Sequence, residues 1–171
     1  MNNNIYFIDD NLRIINVGGE WDEFAINNEG DDIVFSKIEG KSLLNYIKGD
    51  PTKMWIQTII QLVKLKEEPI ERPYRCDSPE IKRYMSMNIS AESKYVLKFE
   101  HKILKVEPKT QTTLINHFDN KSITNIYKRC SICGKILLSG KWKEPDADQS
   151  INISKFKVIY TVCGDCSRLL P

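Results

Sequence analysis

A chain of 171 residues with 41% apolar and 28% charged side chains is long enough for one medium domain, or for a domain and a small metal-held module. It is too apolar for wholesale disorder. No apolar run approaches the roughly 18–20 residues that cross a bilayer, and residues 1–5 lack the basic start and apolar stretch of a secretory signal. The expected setting is the cytoplasm, with no membrane partner. The net charge of +2 hides a split. Residues 1–108 carry 15 Lys and Arg against 18 Asp and Glu, net −3, whereas residues 109–171 carry 10 against 5, net +5. Two parts with different surfaces are expected.

Residues 5–9 and 12–17 are short β-rich runs around Asp10-Asn11, a tight-turn pair, and predict a hairpin. Gly18-Gly19 breaks the chain, and residues 20–27 carry Trp21, Phe24 and Ala25 at helical spacing. After a polar loop, residues 38–47 suit one or two helical turns with Leu43, Leu44 and Ile47 inward. The longest helix begins at Asp50-Pro51, read as N-cap and first-turn proline. Trp55, Ile56, Ile59, Ile60, Leu62 and Val63 form its apolar face, and Glu67-Glu68-Pro69 ends it. Three strands follow. Residues 70–76 contain Pro73, which places that strand at an edge or a bulge. Residues 81–90 turn Met85, Met87 and Ile89 to one face. Residues 95–106 turn Tyr95, Leu97, Phe99, His101 and Ile103 to one side and Lys98, Glu100 and Lys102 to the other. An α+β fold with a five-stranded antiparallel sheet and its helices on one face buries these patterns. Residues 108–123 are polar with isolated apolar positions at Leu114, Ile115 and Phe118, and read as a connecting helix or a loose linker.

This order of hairpin, small helices, one long helix and three closing strands resembles a PAS sensor domain over residues 1–107. Ile5-Tyr6-Phe7-Ile8-Asp9 looks like the opening strand, Trp21-Asp22-Glu23-Phe24-Ala25 like the first helix, and Gly40-Lys41-Ser42-Leu43 like the entry to the middle helices. Tyr74-Arg75-Cys76-Asp77-Ser78-Pro79 with Arg83-Tyr84-Met85 is similar to a pattern in one group of bacterial PAS-like proteins. The resemblance implies sensing or protein contact rather than catalysis, a hollow between sheet and helices for a small ligand, and dimerisation through the outer sheet face. The hollow would be lined by Trp55, Ile59, Met85, Met87, Leu97, Phe99 and His101; the plainer reading is that these residues pack together as a core. A neutral imidazole at His101 can ligate haem iron, but a lone strand histidine is more simply a hydrogen-bonded core residue. Cys76 follows the long helix, whereas the flavin-adduct cysteine of light-sensing relatives precedes it. It reads as a small buried hydrophobe.

The strongest chemical signal is a pair of C-x-x-C motifs, Cys130-Ser131-Ile132-Cys133 and Cys163-Gly164-Asp165-Cys166. A two-residue gap lets both sulfurs of a pair reach one ion from a tight turn, and Gly134 supplies the positive φ such a knuckle needs. Two knuckles complete a tetrahedral S4 site, here a structural zinc, within a module over residues 124–171. Intervening strands at residues 136–138 and 156–162 span the 29-residue separation, and Trp142 is placed to pack over the site. The spacing also fits an iron centre of the rubredoxin kind, but Ser167 after the second pair and Gly164-Asp165 within it depart from that pattern. The segment resembles a C-terminal module of bacterial signalling proteins through Cys130, Ser131, Cys133 and Trp142, and departs from it at Gly134 and at Tyr160-Thr161-Val162-Cys163-Gly164.

Four thiolates leave no open position on zinc and no base beside it, so an enzyme is not expected. Three readings remain. In the first the chain is a non-catalytic bacterial sensor or regulator that acts through a signalling protein partner, with a second copy of the chain or the zinc module covering the outer sheet face. In the second it is a zinc-ribbon nucleic-acid-binding transcriptional regulator that uses Lys128, Arg129, Lys135, Lys141, Lys143, Lys155, Lys157 and Arg168. These cations are scattered, with few interleaved aromatics. The third, an electron carrier or thiol enzyme, rests on the cysteines alone.

Overall fold

The structure, a computed structural model, describes residues 3–28, 30–117, 126–147 and 155–168. Two β-sheets form around one shared core. In the first, β1 (Asn3–Asp9), β2 (Ile14–Gly19), β3 (Ile70–Arg75), β4 (Ile81–Ser93) and β5 (Val96–Pro108) are antiparallel in the order β2-β1-β5-β4-β3. Strand alternation sets what is buried: Asn4, Tyr6 and Ile8 of β1, Met85, Met87 and Ile89 of β4, and Leu97 and Phe99 of β5. Tyr95 lies in the β4–β5 turn and is exposed rather than inward. Pro73 is on β3, an edge strand, where its missing N–H breaks no second ladder.

The first hairpin is longer-turned than its sequence suggests. The Asn11 and Arg13 N–H groups donate to Asp9 Oδ1 at 2.9 and 2.8 Å. Leu12 takes φ 59°, outside strand geometry, so β2 starts at Ile14 and not at residue 12. Helices α1 (Trp21–Asn27) and α2 (Phe35–Ile38) and a 3-10 turn at Leu43–Asn45 lead to α3 (Asp50–Lys66). Leu43 is buried, and Leu44 and Ile47 pack half-buried beside it. Helix α3 lays Trp55, Ile56, Ile59, Ile60 and Val63 on the sheet.

The start of α3 corrects one expectation. Gly49, not Asp50, occupies the cap position at φ 82°, and Asp50 and Pro51 fall inside the first turn. The reason lies across the core: a Cβ on Gly49 would stand 2.6 Å from the Tyr160 carbonyl oxygen. Gly49→Ala is therefore expected to destabilise the fold by more than the roughly 1–3 kcal/mol of the backbone conformation alone. Gly40→Ala is the control, since Gly40 has φ +70° with nothing within 4 Å. Urea midpoints that fall equally for the two would refute the close approach.

The second sheet contains β6 (Leu114–His117), β7 (Ile126–Cys130), β8 (Ile136–Leu138), β9 (Lys141–Lys143) and β10 (Lys155–Thr161), in the order β6-β10-β7-β8-β9. Strand β10 runs parallel to both β6 and β7, and β7-β8-β9 are antiparallel. The stretch 108–123, expected as a helix or linker, therefore carries strand β6; Phe118 and Ile123 lie outside the described residues. Isolated apolar positions at Leu114 and Ile115 suffice because β10 supplies the ladder partner. Ile136, Leu138 and Val158 form a small core of this sheet.

The two sheets join at β3 and at the first turn of α3. The Arg75 N–H donates to the Ile132 carbonyl at 2.7 Å, and Thr52 Oγ1 and Ser131 Oγ share a hydrogen bond of 2.6 Å. Cys130 and Ile132 pack in the same cluster as Trp55 and Ile56. The module thus docks on the helix side, which corrects the expectation that it covers the outer sheet face. That face carries polar ties instead, among them Asn3 Nδ2 to Glu100 Oε1 at 2.8 Å and Ser86 to Glu71.

Candidate functional site

Strand β7 delivers Cys130 to the end of the second sheet, where the chain turns back through Ser131, Ile132 and Cys133. Gly134 closes this knuckle at φ +75°, its N–H donating to the Cys130 carbonyl at 3.0 Å. Beside it, β10 leads to Cys163, and the single helical turn α4 (Gly164–Ser167) brings in Cys166. The two arms are tied by the Ser131 N–H on the Thr161 carbonyl at 2.9 Å, and the Cys163 N–H lies 3.4 Å from Cys130 Sγ.

All four sulfurs lie within 4.8 Å of one another. A tetrahedral zinc with bonds of about 2.3 Å sets its sulfurs about 3.8 Å apart, and the Cys133–Cys163 separation is 3.8 Å. A disulfide needs about 2.05 Å. The donor set is four soft sulfurs with no imidazole or carboxylate among them, which suits zinc or iron rather than a hard cation. Cys130, Cys163 and Cys166 are buried and Cys133 is half-buried, and Trp142 packs half-buried against their cluster. These residues fit a closed tetrahedral ion.

Crowding spreads the thiol acidities. The hydrogen bond from Cys133, aided by backbone N–H groups and opposed by burial, holds Cys130 down to about 4. Cys133 is raised by that same bond and then by burial, while burial and then the Cys130 charge push Cys166 up to about 12. Metal is bound by thiolates, so binding displaces thiol protons and weakens as pH falls.

A cavity of about 560 Å³ separates the helix-side face of the first sheet from this knuckle. Trp55, Met85, Met87 and His101 line it, together with Asn4, Tyr6 and Tyr74 from the sheet and Cys130, Ser131 and Ile132 from the knuckle. Ile59, Leu97 and Phe99 do not; they are packed into the core, Ile59 and Phe99 with no exposed surface. The sheet side is aromatic: Tyr6 stacks on Phe99 with centroids 4.7 Å apart and on His101 at 5.4 Å. Among the described residues, Asn4 Oδ1, Trp55 Nε1 and His101 Nε2 have no hydrogen-bond partner. The inward alternation of β1 was a signal for Asn4 and Tyr6; no local signal marked the knuckle as a wall. Cys76, expected as a buried hydrophobe, leaves the sheet beyond the last residue of β3 and is exposed, lining this cavity. Surrounding protein still pushes its thiol pKa up, by desolvation first.

His101 Nδ1 bonds Tyr74 Oη at 2.8 Å, and burial lowers its pKa to about 4. Against an unfolded value of about 6.5 the fold favours the neutral ring. Stability from this group is then complete above pH 6.5 and declines as pH falls toward 4, by roughly 3 kcal/mol in all. An NMR titration is expected to find the His101 ring neutral down to pH 5; a midpoint near 6.5 would contradict this burial.

Comparisons of the chain with models of protein families, with curated proteins and with solved structures give no match.

Proposed function

We propose that the chain is a non-catalytic bacterial sensor or regulator with a PAS-like domain over residues 1–107 and a zinc-held module over 124–171, whose sheet also takes strand β6 from the stretch between them. The hollow takes a small, uncharged, largely apolar molecule, and the module passes its presence to a signalling protein partner in the cytoplasm. One observation carries this reading: the cavity lies between the sheet and the knuckle, so a single small molecule in it touches both. The lining is mostly apolar and aromatic, His101 is neutral, and Arg75, Asp77 and Arg129, which line it together with Lys48, are paired with one another, so an uncharged guest is favoured. An S4 centre, coordinatively saturated, suits a structural role for zinc. Among the described residues, no helix is long and apolar enough to cross a membrane.

The nucleic-acid reading loses support from two of its cations. Arg129 is buried against Asp77 at 3.3 Å, and Arg168 pairs with Asp165 within its own helical turn. Native mass spectrometry of freshly purified protein, with light scattering, tests the proposal. The expected result is one zinc per chain and a non-covalent organic adduct, in a chain that forms a homodimer or remains free for its partner. Steeply salt-dependent binding to duplex DNA, with no adduct, would overturn it.

A further inference from the structure

We infer that metal occupancy of the four cysteines and ligand occupancy of the hollow are one coupled equilibrium, the Cys130–Cys133 knuckle being a wall of the binding site. The inference rests on the reading of the hollow as a small-molecule site and adds its regulation.

Ser131 and Ile132 sit between two metal ligands in the chain, so the ion that fixes Cys130 and Cys133 also fixes them. Both line the cavity, as do Met85 and His101. Both are also joined to the first sheet's unit: Ile132 accepts from the Arg75 N–H at 2.7 Å, and Ser131 bonds Thr52 at 2.6 Å. Thr52 is in the first turn of α3 and Trp55 one turn further on, so one chain of contacts runs from sulfur through the knuckle to the cavity's aromatic wall. Without the ion, the four sulfurs within 4.8 Å lose the bonds that hold them to one another. The turn that carries Ser131 and Ile132 then loses its strongest restraint, and the hollow opens on that side. A guest that packs against Ile132 favours the closed turn and hence the metal-bound form. By linkage the effect is reciprocal: the factor by which metal tightens the guest equals the factor by which the guest tightens the metal.

The neutral fluorophore N-phenyl-1-naphthylamine, small enough for 560 Å³, serves as the probe on the full chain. It is expected to bind zinc-loaded protein about ten-fold or more tightly than chelated, reduced protein, and to tighten zinc by the same factor in competition with a chromophoric chelator. Equal probe affinity with and without zinc would overturn the coupling while leaving the hollow as a site. Failure to bind either form would overturn the hollow itself. Should the chelated chain unfold, cobalt-loaded protein gives the second measurement. Saturating probe is expected to shift the cobalt d–d bands, and less so in Thr52→Val, which keeps all four cysteines. Bands that do not move at saturation would overturn the coupling.

Discussion

Replacing Cys166 by Ser is expected to abolish tight zinc binding and to unfold the second sheet, the largest single effect in this molecule. Structural zinc sites contribute about 10–16 kcal/mol of apparent free energy in small modules. The second sheet's own core is small, Ile136, Leu138 and Val158 with Ile115, Tyr127 and Tyr160 packed against it. Its contact with the main core runs largely through the knuckle residues Cys130, Ile132, Cys163 and Cys166. The knuckles also bring β7 and β10 together at their ends, through Ser131 on Thr161. Loss of the ion should therefore release β7 and β10 first, with β1–β5 outlasting them around α3. Hydrogen exchange read residue by residue, with zinc and after chelation, checks this order. Amides of β7 and β10 that stay protected in Cys166→Ser would show that packing alone holds the sheet.

Asp77→Ala is expected to cost about 3–5 kcal/mol, the usual penalty for stranding a buried charge. The Asp77 side chain is 1% exposed and accepts from Arg75 Nε at 3.0 Å, Arg75 Nη2 at 2.6 Å and Arg129 Nη2 at 3.3 Å. Arginine does not shed its proton in a protein, so removing the carboxylate leaves two guanidinium groups facing each other, with Glu144, 2.8 Å from Arg75, as the remaining ion-pair partner among the described residues. The strain falls where the sheets join, since Arg75 also holds Ile132 through its backbone. Urea unfolding of zinc-loaded protein at pH 7 measures the loss. Asp77→Ala with Arg129→Met should recover part of it, because the apolar pair strands less charge. A loss below 1 kcal/mol would mean that the pair is solvated in solution.

Local patterns carried far in this chain, and non-local ones did not. The cysteine pairs were legible because a two-residue gap fixes the geometry of a knuckle whatever surrounds it. Helix α3 and strands β4 and β5 were legible because one face of each is apolar over many residues. Periodicity reports a face, however, and not a depth: Ile59 and Phe99 share a side with the cavity residues yet lie beneath them. Strand β6 was illegible because its pattern is four residues long and its partner, β10, begins about forty positions later, Leu114 beside Lys155. The cap at Gly49 was hidden for the same reason, since the atom that requires glycine there belongs to Tyr160. The wall formed by Ser131 and Ile132, and the pairing of Arg75, Asp77 and Arg129 across the two sheets, depend on docking that no single segment encodes.

Zinc-edge X-ray absorption on protein purified without chelator, with elemental assay of the same sample, tests the central claim most directly. One zinc per chain, surrounded by four sulfurs at about 2.3 Å and no lighter atom, is the result expected from the cysteine geometry. A metal-free chain, or a first shell containing nitrogen or oxygen, would contradict it.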